Sequence, residues 1–257
     1  MLWYKAWLET RWRFLIGLAI LVLSVIGTVL AYPRVERMLP LLPSTAIDTS
    51  TLVGQRLKAI AELSRTYDGY IWAQWLCQNM VQMLSLFAAL LGTGGLLSQA
   101  SGGGGLFTLS LPVSRDRLLG VRAAIGVAEL LVLAVLPSLL LPVLSPSIGQ
   151  TFGIGAALAH GTCAFVAATV LFSAASLLST VFTDVWRPAL IVCAIAAALG
   201  IVEPFFGELS RYSLFGLMDG EAYFRSGGMP WLELLASAAV SAAMLFATSR
   251  NLARQDF

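Results

Sequence analysis

Six stretches of this chain contain no Asp, Glu, Lys or Arg: Phe14–Pro33, Gly69–Ser114, Leu130–Ala159, Gly161–Thr183, Pro188–Val202 and Leu234–Ser249. A bilayer core takes about 20 apolar residues of helix at 1.5 Å each. Backbone left unpaired in lipid is too costly for irregular structure. The stretches therefore predict an all-α integral membrane protein with six transmembrane helices, near Phe14–Tyr32, Ile71–Leu97, Leu118–Leu144, Phe152–Phe182, Pro188–Phe206 and Trp231–Ser249. With 58% hydrophobic and 12% charged residues, the chain is excluded from the soluble class, which carries about 25% charge. No internal repeat is visible, and residues 1–257 read as one transmembrane domain.

An even number of spans puts both termini on one side of the membrane. That side would hold Lys5, Arg11, Arg13, Arg115, Arg117, Arg122, Arg187, Arg250 and Arg254, nine cations against seven on the other. Five of the seven fall in the long first loop, which weighs less in the positive-inside rule. Both termini are expected in the cytoplasm, in the inner membrane of a prokaryote. The first apolar run is long enough to be a full span and follows a segment rich in aromatics with Glu9, which reads against a cleaved leader.

Residues 1–13 have their own pattern. Trp3, Tyr4, Trp7, Leu8 and Trp12 share one half of a helix, and Lys5, Glu9 and Arg13 follow at i,i+4 steps on the other. This predicts an amphipathic interfacial helix among lipid headgroups, with Arg11 snorkelling from the apolar half. Residues 33–70 read as an extracytoplasmic loop, broken by Pro33, Pro40 and Pro43, with a short amphipathic helix over Gly54–Tyr67.

Leu106–Arg122 is a short structured, basic, non-spanning block between two apolar runs, and residues 98–117 form the connection between the second and third expected spans. Leu111 precedes Pro112 and is pushed away from helical geometry, so a helix over Leu106–Ser110 must stop there. Ser114 can cap a new helix with Asp116 in its first turn, leading through Arg115, Arg117 and Arg122 into the third span. The glycines Gly102–Gly105 read as a hinge.

The stretch LSLPVSRDRLLGVR, Leu109–Arg122, resembles the signature of the ABC-2 type permeases, the six-span membrane subunits of one class of ATP-binding cassette transporters. In that family a leucine-rich run, a proline, a small residue and an arginine lead into the third span. Where many relatives have an acidic residue and a Gly-Thr pair ahead of the leucine run, this chain has Ser101–Gly105. The resemblance implies a permease without ATPase activity of its own that forms the translocation path as a homodimer or with a related subunit. Separate cytoplasmic ATPase subunits carrying ATP and Mg would drive it, in most such systems for export. Leu109, Pro112, Ser114, Arg115, Asp116 and Arg117 would form the cytoplasmic coupling region that those ATPases push. Consistent with this, the chain has no GxxxxGK[ST] to hold a nucleotide.

Among residues within the spans, Glu129 and His160 are the ionisable candidates for a translocation path. Each also reads as a bonder to a neighbouring helix. A stand-alone secondary transporter or channel using these two is the alternative function. Cys77, Cys163 and Cys193 lie in three spans at no metal-ligand spacing and read as packing residues. No metal, catalytic set or nucleic-acid partner is expected; membrane lipids are. Pro137 and Pro142 suggest a bend in the third span, Gly92 suggests close helix approach, and Asp184 with Pro188 suggests the start of the fifth.

Overall fold

The computed structural model describes residues 2–38, 62–93, 115–182, 184, 186–202 and 213–253, and these are helical with short connections. In chain order the helices are α1 (Leu2–Met38), α2 (Tyr67–Gly92), α3 (Arg115–Leu144), α4 (Ile154–Leu178), α5 (Trp186–Val202), α6 (Leu214–Met218), α7 (Glu221–Ser226) and α8 (Trp231–Ala253). Five of them, α1, α2, α3, α4 and α8, are long and apolar enough to cross a membrane. Where the fifth span is expected, the structure has the 17-residue apolar helix α5, which is shorter than these five and does not count among them. It begins as the sequence suggests, with the Asp184 side chain accepting from the Trp186 amide at 3.0 Å. The fourth expected span is shorter at both ends than Phe152–Phe182. Residues 94–97 and 203–206 of the second and fifth expected spans lie outside the described residues.

The leading segment differs from its expectation. Residues 1–13 do not form a helix of their own: from Leu2 onward they continue unbroken into the first span as a single 37-residue helix. At 1.5 Å per residue this is about 55 Å long, well beyond a hydrocarbon core of about 30 Å. No Pro or Gly occurs before Gly17 to stop the helix from propagating. The aromatic face is outward as read, with Trp3, Tyr4 and Trp12 exposed. Arg11 lays its guanidinium 5.4 Å from the Trp12 ring centroid, a cation–π contact. The expected loop over 33–70 is also shorter, because α1 runs on to Met38 and α2 starts at Tyr67. Of the helix expected over Gly54–Tyr67, Glu62 and Leu63 are helical, and a turn over 64–66 leads to Thr66, which caps α2; residues 54–61 lie outside the described residues.

The centre of the bundle is α4, which packs against α2, α3, α6 and α8. Its face of Ala157, Ala164, Ala167, Ala168 and Ala175 is buried, and small side chains let neighbouring backbones approach closely. Gly92 at the end of α2 has no room for a side chain, since a Cβ there would meet the Phe172 carbonyl oxygen and the Ala175 methyl of α4. The other core residues follow helical periodicity: Leu21, Val25 and Val29 on α1, Met80, Leu84 and Ala88 on α2, and Leu130, Leu133, Ala134 and Leu141 on α3. α3 passes through Pro137 and Pro142 as one helix.

Each end of the bundle is fastened by polar or aromatic groups. At the end where α1 begins and α8 ends, Asn251 donates to Thr180 Oγ1 at 2.6 Å, and Ser176 donates to the Gly92 carbonyl at 3.2 Å. At the opposite end, Tyr32 of α1 meets Tyr67 and Tyr70 of α2 at 4.9 and 5.2 Å between centroids. There Tyr67 also shares a 2.7 Å hydrogen bond with Ser145, just after α3.

Candidate functional site

Three local structures concentrate the polar chemistry of the described residues. The first is a joint at the terminal end of α2. Arg13 of α1 donates to the Leu90 carbonyl at 2.8 Å and lies 3.3 Å from Thr93 Oγ1. Arg122 of α3 donates to the Thr93 carbonyl at 3.2 Å and to Glu9 of α1 at 3.1 Å. Two cations thus sit on the last carbonyls of one helix, where the backbone dipole is negative and the carbonyls lack intrahelical partners. Thr10 of α1 donates to Glu129 Oε1 at 2.6 Å, and Glu129 Oε2 is buried with no partner among the described residues. The chain leaves the joint at Thr93 and re-enters the described structure at Arg115.

The second is a cap at the opposite end. α6 and α7, between α5 and α8, fold back onto the bundle around Asp219, which is 7% exposed. Its carboxylate accepts from the Glu221 amide at 2.8 Å and from the Cys77 thiol at 3.2 Å. Its carbonyl lies 3.1 Å from His160 Nδ1 of α4. Gly220 adopts φ +69°, where a side chain is strained, and a Cβ there would collide with the His160 ring. Phe224 stacks on Trp72 of α2 at 4.6 Å with planes 6° apart, and Tyr223 meets His160 edge-on at 5.3 Å.

The third is a polar stripe on α2. Residues Ile71–Met80 are π-helical, a conformation rare at any length and frequent at functional sites. Gln74, Gln78 and Gln82 follow at steps of four along this helix, the last two exposed. None of the three side-chain amides has a hydrogen-bond partner among the described residues. α2 is accordingly the least apolar of the five long helices. Beside the stripe a cavity of about 560 Å³ opens between α2 and α5, lined by Cys77, Gln82, Ser85, Cys193, Gly200 and Phe215 among others.

The residues expected from sequence are distributed as follows. Leu109, Pro112 and Ser114 lie outside the described residues. Arg115 and Asp116 are the first residues of α3, and Arg117 is exposed there. Glu129 and His160 do not converge. Gly161, next to His160, packs on Val135, six residues and about 9 Å of helix beyond Glu129. Glu129 belongs to the joint, while His160 belongs to the cap. Cys163 is a buried packing residue, whereas Cys77 and Cys193 line the cavity. Arg13, read as a headgroup contact, points into the joint. The glutamine stripe was not singled out from sequence, although its i,i+4,i+8 spacing is visible there. The cap was also not anticipated, although Ser213, Gly220 and Gly227 mark its turns. No family model, no curated protein and no solved structure matches this chain.

Proposed function

We propose that this chain is the permease subunit of an ABC-2 type ATP-binding cassette transporter, and that it works as an exporter. In this reading it contributes six spans, with α5 as the fifth, and pairs with a second permease. Cytoplasmic ATPase subunits bind residues 98–117. At 17 residues α5 is about 26 Å long, at the short limit for a span. Both termini and the joint then face the cytoplasm of a prokaryote, and the cap faces outward.

The observation that carries the reading is the joint. The segment bearing the Leu109–Arg122 signature is attached at one end to Thr93 and at the other to α3. Arg13 and Arg122 bind the same stretch of backbone, Leu90–Thr93, from α1 and α3. Force applied to residues 94–114 therefore reaches three long helices together. The cap over the opposite end supports the same reading, since an exporter needs a closed outer end at rest. The stand-alone transporter is the weaker reading, because Glu129 and His160 belong to separate clusters and form no relay.

The test is purification with the products of neighbouring genes. A co-purifying ATPase whose hydrolysis is vanadate-sensitive and depends on this chain supports the permease. Replacing Arg115 and Arg117 with Glu is expected to weaken that association and leave the helical fold intact. Unchanged association and transport in the double variant would overturn the coupling assignment.

A further inference from the structure

We infer that the Gln74–Gln78–Gln82 stripe and the adjoining α2–α5 cavity bind an uncharged amphiphile, with its hydroxyl- or amide-bearing head on the glutamines and its apolar chain in the cavity. The inference rests on the transport reading above and names the class of cargo for it.

The stripe is the first observation. Gln78 and Gln82 lie near the middle of a 26-residue helix long enough to cross a membrane. An amide facing hydrocarbon without a partner costs several kcal/mol on scales where the solvent cannot hydrogen-bond, roughly 4 to 8. Three such amides on one face, all without partners among the described residues, therefore call for hydrogen-bonding matter beside them. From Gln74 to Gln82 they cover on the order of 10 Å of helix, the size of a small polyol or amide head rather than a single ion.

The cavity is the second, independent observation. Its volume of about 560 Å³ falls in the ordinary range of small-molecule sites. No charged side chain is among the described residues that line it; the apolar wall comes from α5, Phe215 and Val81 and Leu86 of α2, and the polar groups are Gln82, Ser85 and the two thiols. Two of these are already engaged, Cys77 with Asp219 and Ser85 with Met218 Sδ. Gln82 belongs to both the stripe and the cavity, so a ligand held at both places needs a neutral head joined to an apolar body. A carboxylate or phosphate head would be buried there without a counter-charge, which is strongly unfavourable. The nearby Asp219 carboxylate already accepts from the Cys77 thiol and the Glu221 amide, so an ammonium head would have to displace Cys77 to pair with it.

Photo-crosslinking in lipid nanodiscs tests this on the intact chain without any ATPase. The probe is a monoacylglycerol carrying a diazirine in its acyl chain, and adducts are mapped by mass spectrometry. Adducts are expected on α2 and α5 residues lining the cavity. Unlabelled monoacylglycerol should compete for them, while the fatty acid and the alkyltrimethylammonium of equal chain length should not. Replacing Gln78 and Gln82 with Leu leaves a lipid-compatible helix and should weaken competition about tenfold, the loss of two net hydrogen bonds.

Adducts spread over the outer faces of α1 and α8 without competition would overturn the inference. So would equal competition by charged amphiphiles, or an unchanged midpoint in the Gln78→Leu/Gln82→Leu variant. Spontaneous disulfide-linked dimers of a Gln78→Cys variant that exclude the probe would assign the stripe to a second copy instead. If competition holds but no ATPase couples to the chain, the binding site stands and the permease reading falls; the converse result separates them the other way.

Discussion

Thr10 and Glu129, 119 residues apart in sequence, are joined by a 2.6 Å hydrogen bond, and both side chains are almost wholly enclosed. This bond fixes α1 against α3 at the level where Arg13 and Arg122 hold the end of α2. Glu129 Oε2 has no other partner among the described residues, so the carboxyl group depends on Thr10. Thr10→Val is expected to destabilise the protein by about 2 kcal/mol, the cost of stranding a buried polar group. Thr10→Ser should cost less than about 1 kcal/mol by retaining the donor. Denaturant titration in micelles reads both, and equal midpoints for Val and Ser would show that the bond contributes nothing.

Arg13→Ala and Arg122→Ala each remove a cation from the last carbonyls of α2. At about 1 kcal/mol per contact, amide exchange in the last turn of α2 should become roughly fivefold faster in either variant. Exchange in the middle of α4 should be unaffected. Hydrogen exchange with mass spectrometry makes the comparison, and an unchanged last turn would remove the arginines from the joint.

Gly220 and Gly227 share φ +69° but differ in surroundings, one against the His160 ring and the other in open space. Gly227→Ala should cost only the backbone strain, about 1 to 2 kcal/mol. Gly220→Ala should cost distinctly more, because the methyl group must displace His160. Adding His160→Ala to Gly220→Ala should recover part of that difference, and thermal unfolding of the three variants checks it. Equal losses at the two glycines would mean that the cap does not rest on His160.

Phe224→Ala removes the ring stacked on Trp72. Beyond the lost apolar area, such pairs contribute about 0.5 to 1.5 kcal/mol. The effect should be local: exchange over Leu214–Ser226 is expected to rise while the global unfolding midpoint moves little. A large shift of the global midpoint would make the cap part of the core.

The long helices were legible because membrane crossing imposes length and freedom from charge, and both can be read along one chain. That rule places the centres of α1, α3, α4 and α8 and says less about their ends. It separated residues 1–13 from α1 because the chemistry changes there, but a change from polar to apolar does not stop a helix. Arg13 was misplaced for a related reason. Helical spacing groups it with Lys5 and Glu9, but only the position of Leu90 and Thr93 on another helix shows what that face meets. The pairings Glu9–Arg122 and Thr10–Glu129 cross 113 and 119 residues, and no local pattern carries them. The cap was hidden because α6 and α7 are too short to give a periodic signal, five and six residues long.

The continuity of α1 has a mechanical consequence. Thr10 and Tyr32 stand on the same helix, 22 residues and about 33 Å apart, and the only proline of α1, Pro33, lies just past Tyr32. No proline lies between the arginine joint and the tyrosine cluster to act as a joint of its own. A tilt imposed at Arg13 is therefore delivered to Tyr32 as motion of a stiff rod, and the two faces of the membrane are linked along one helix.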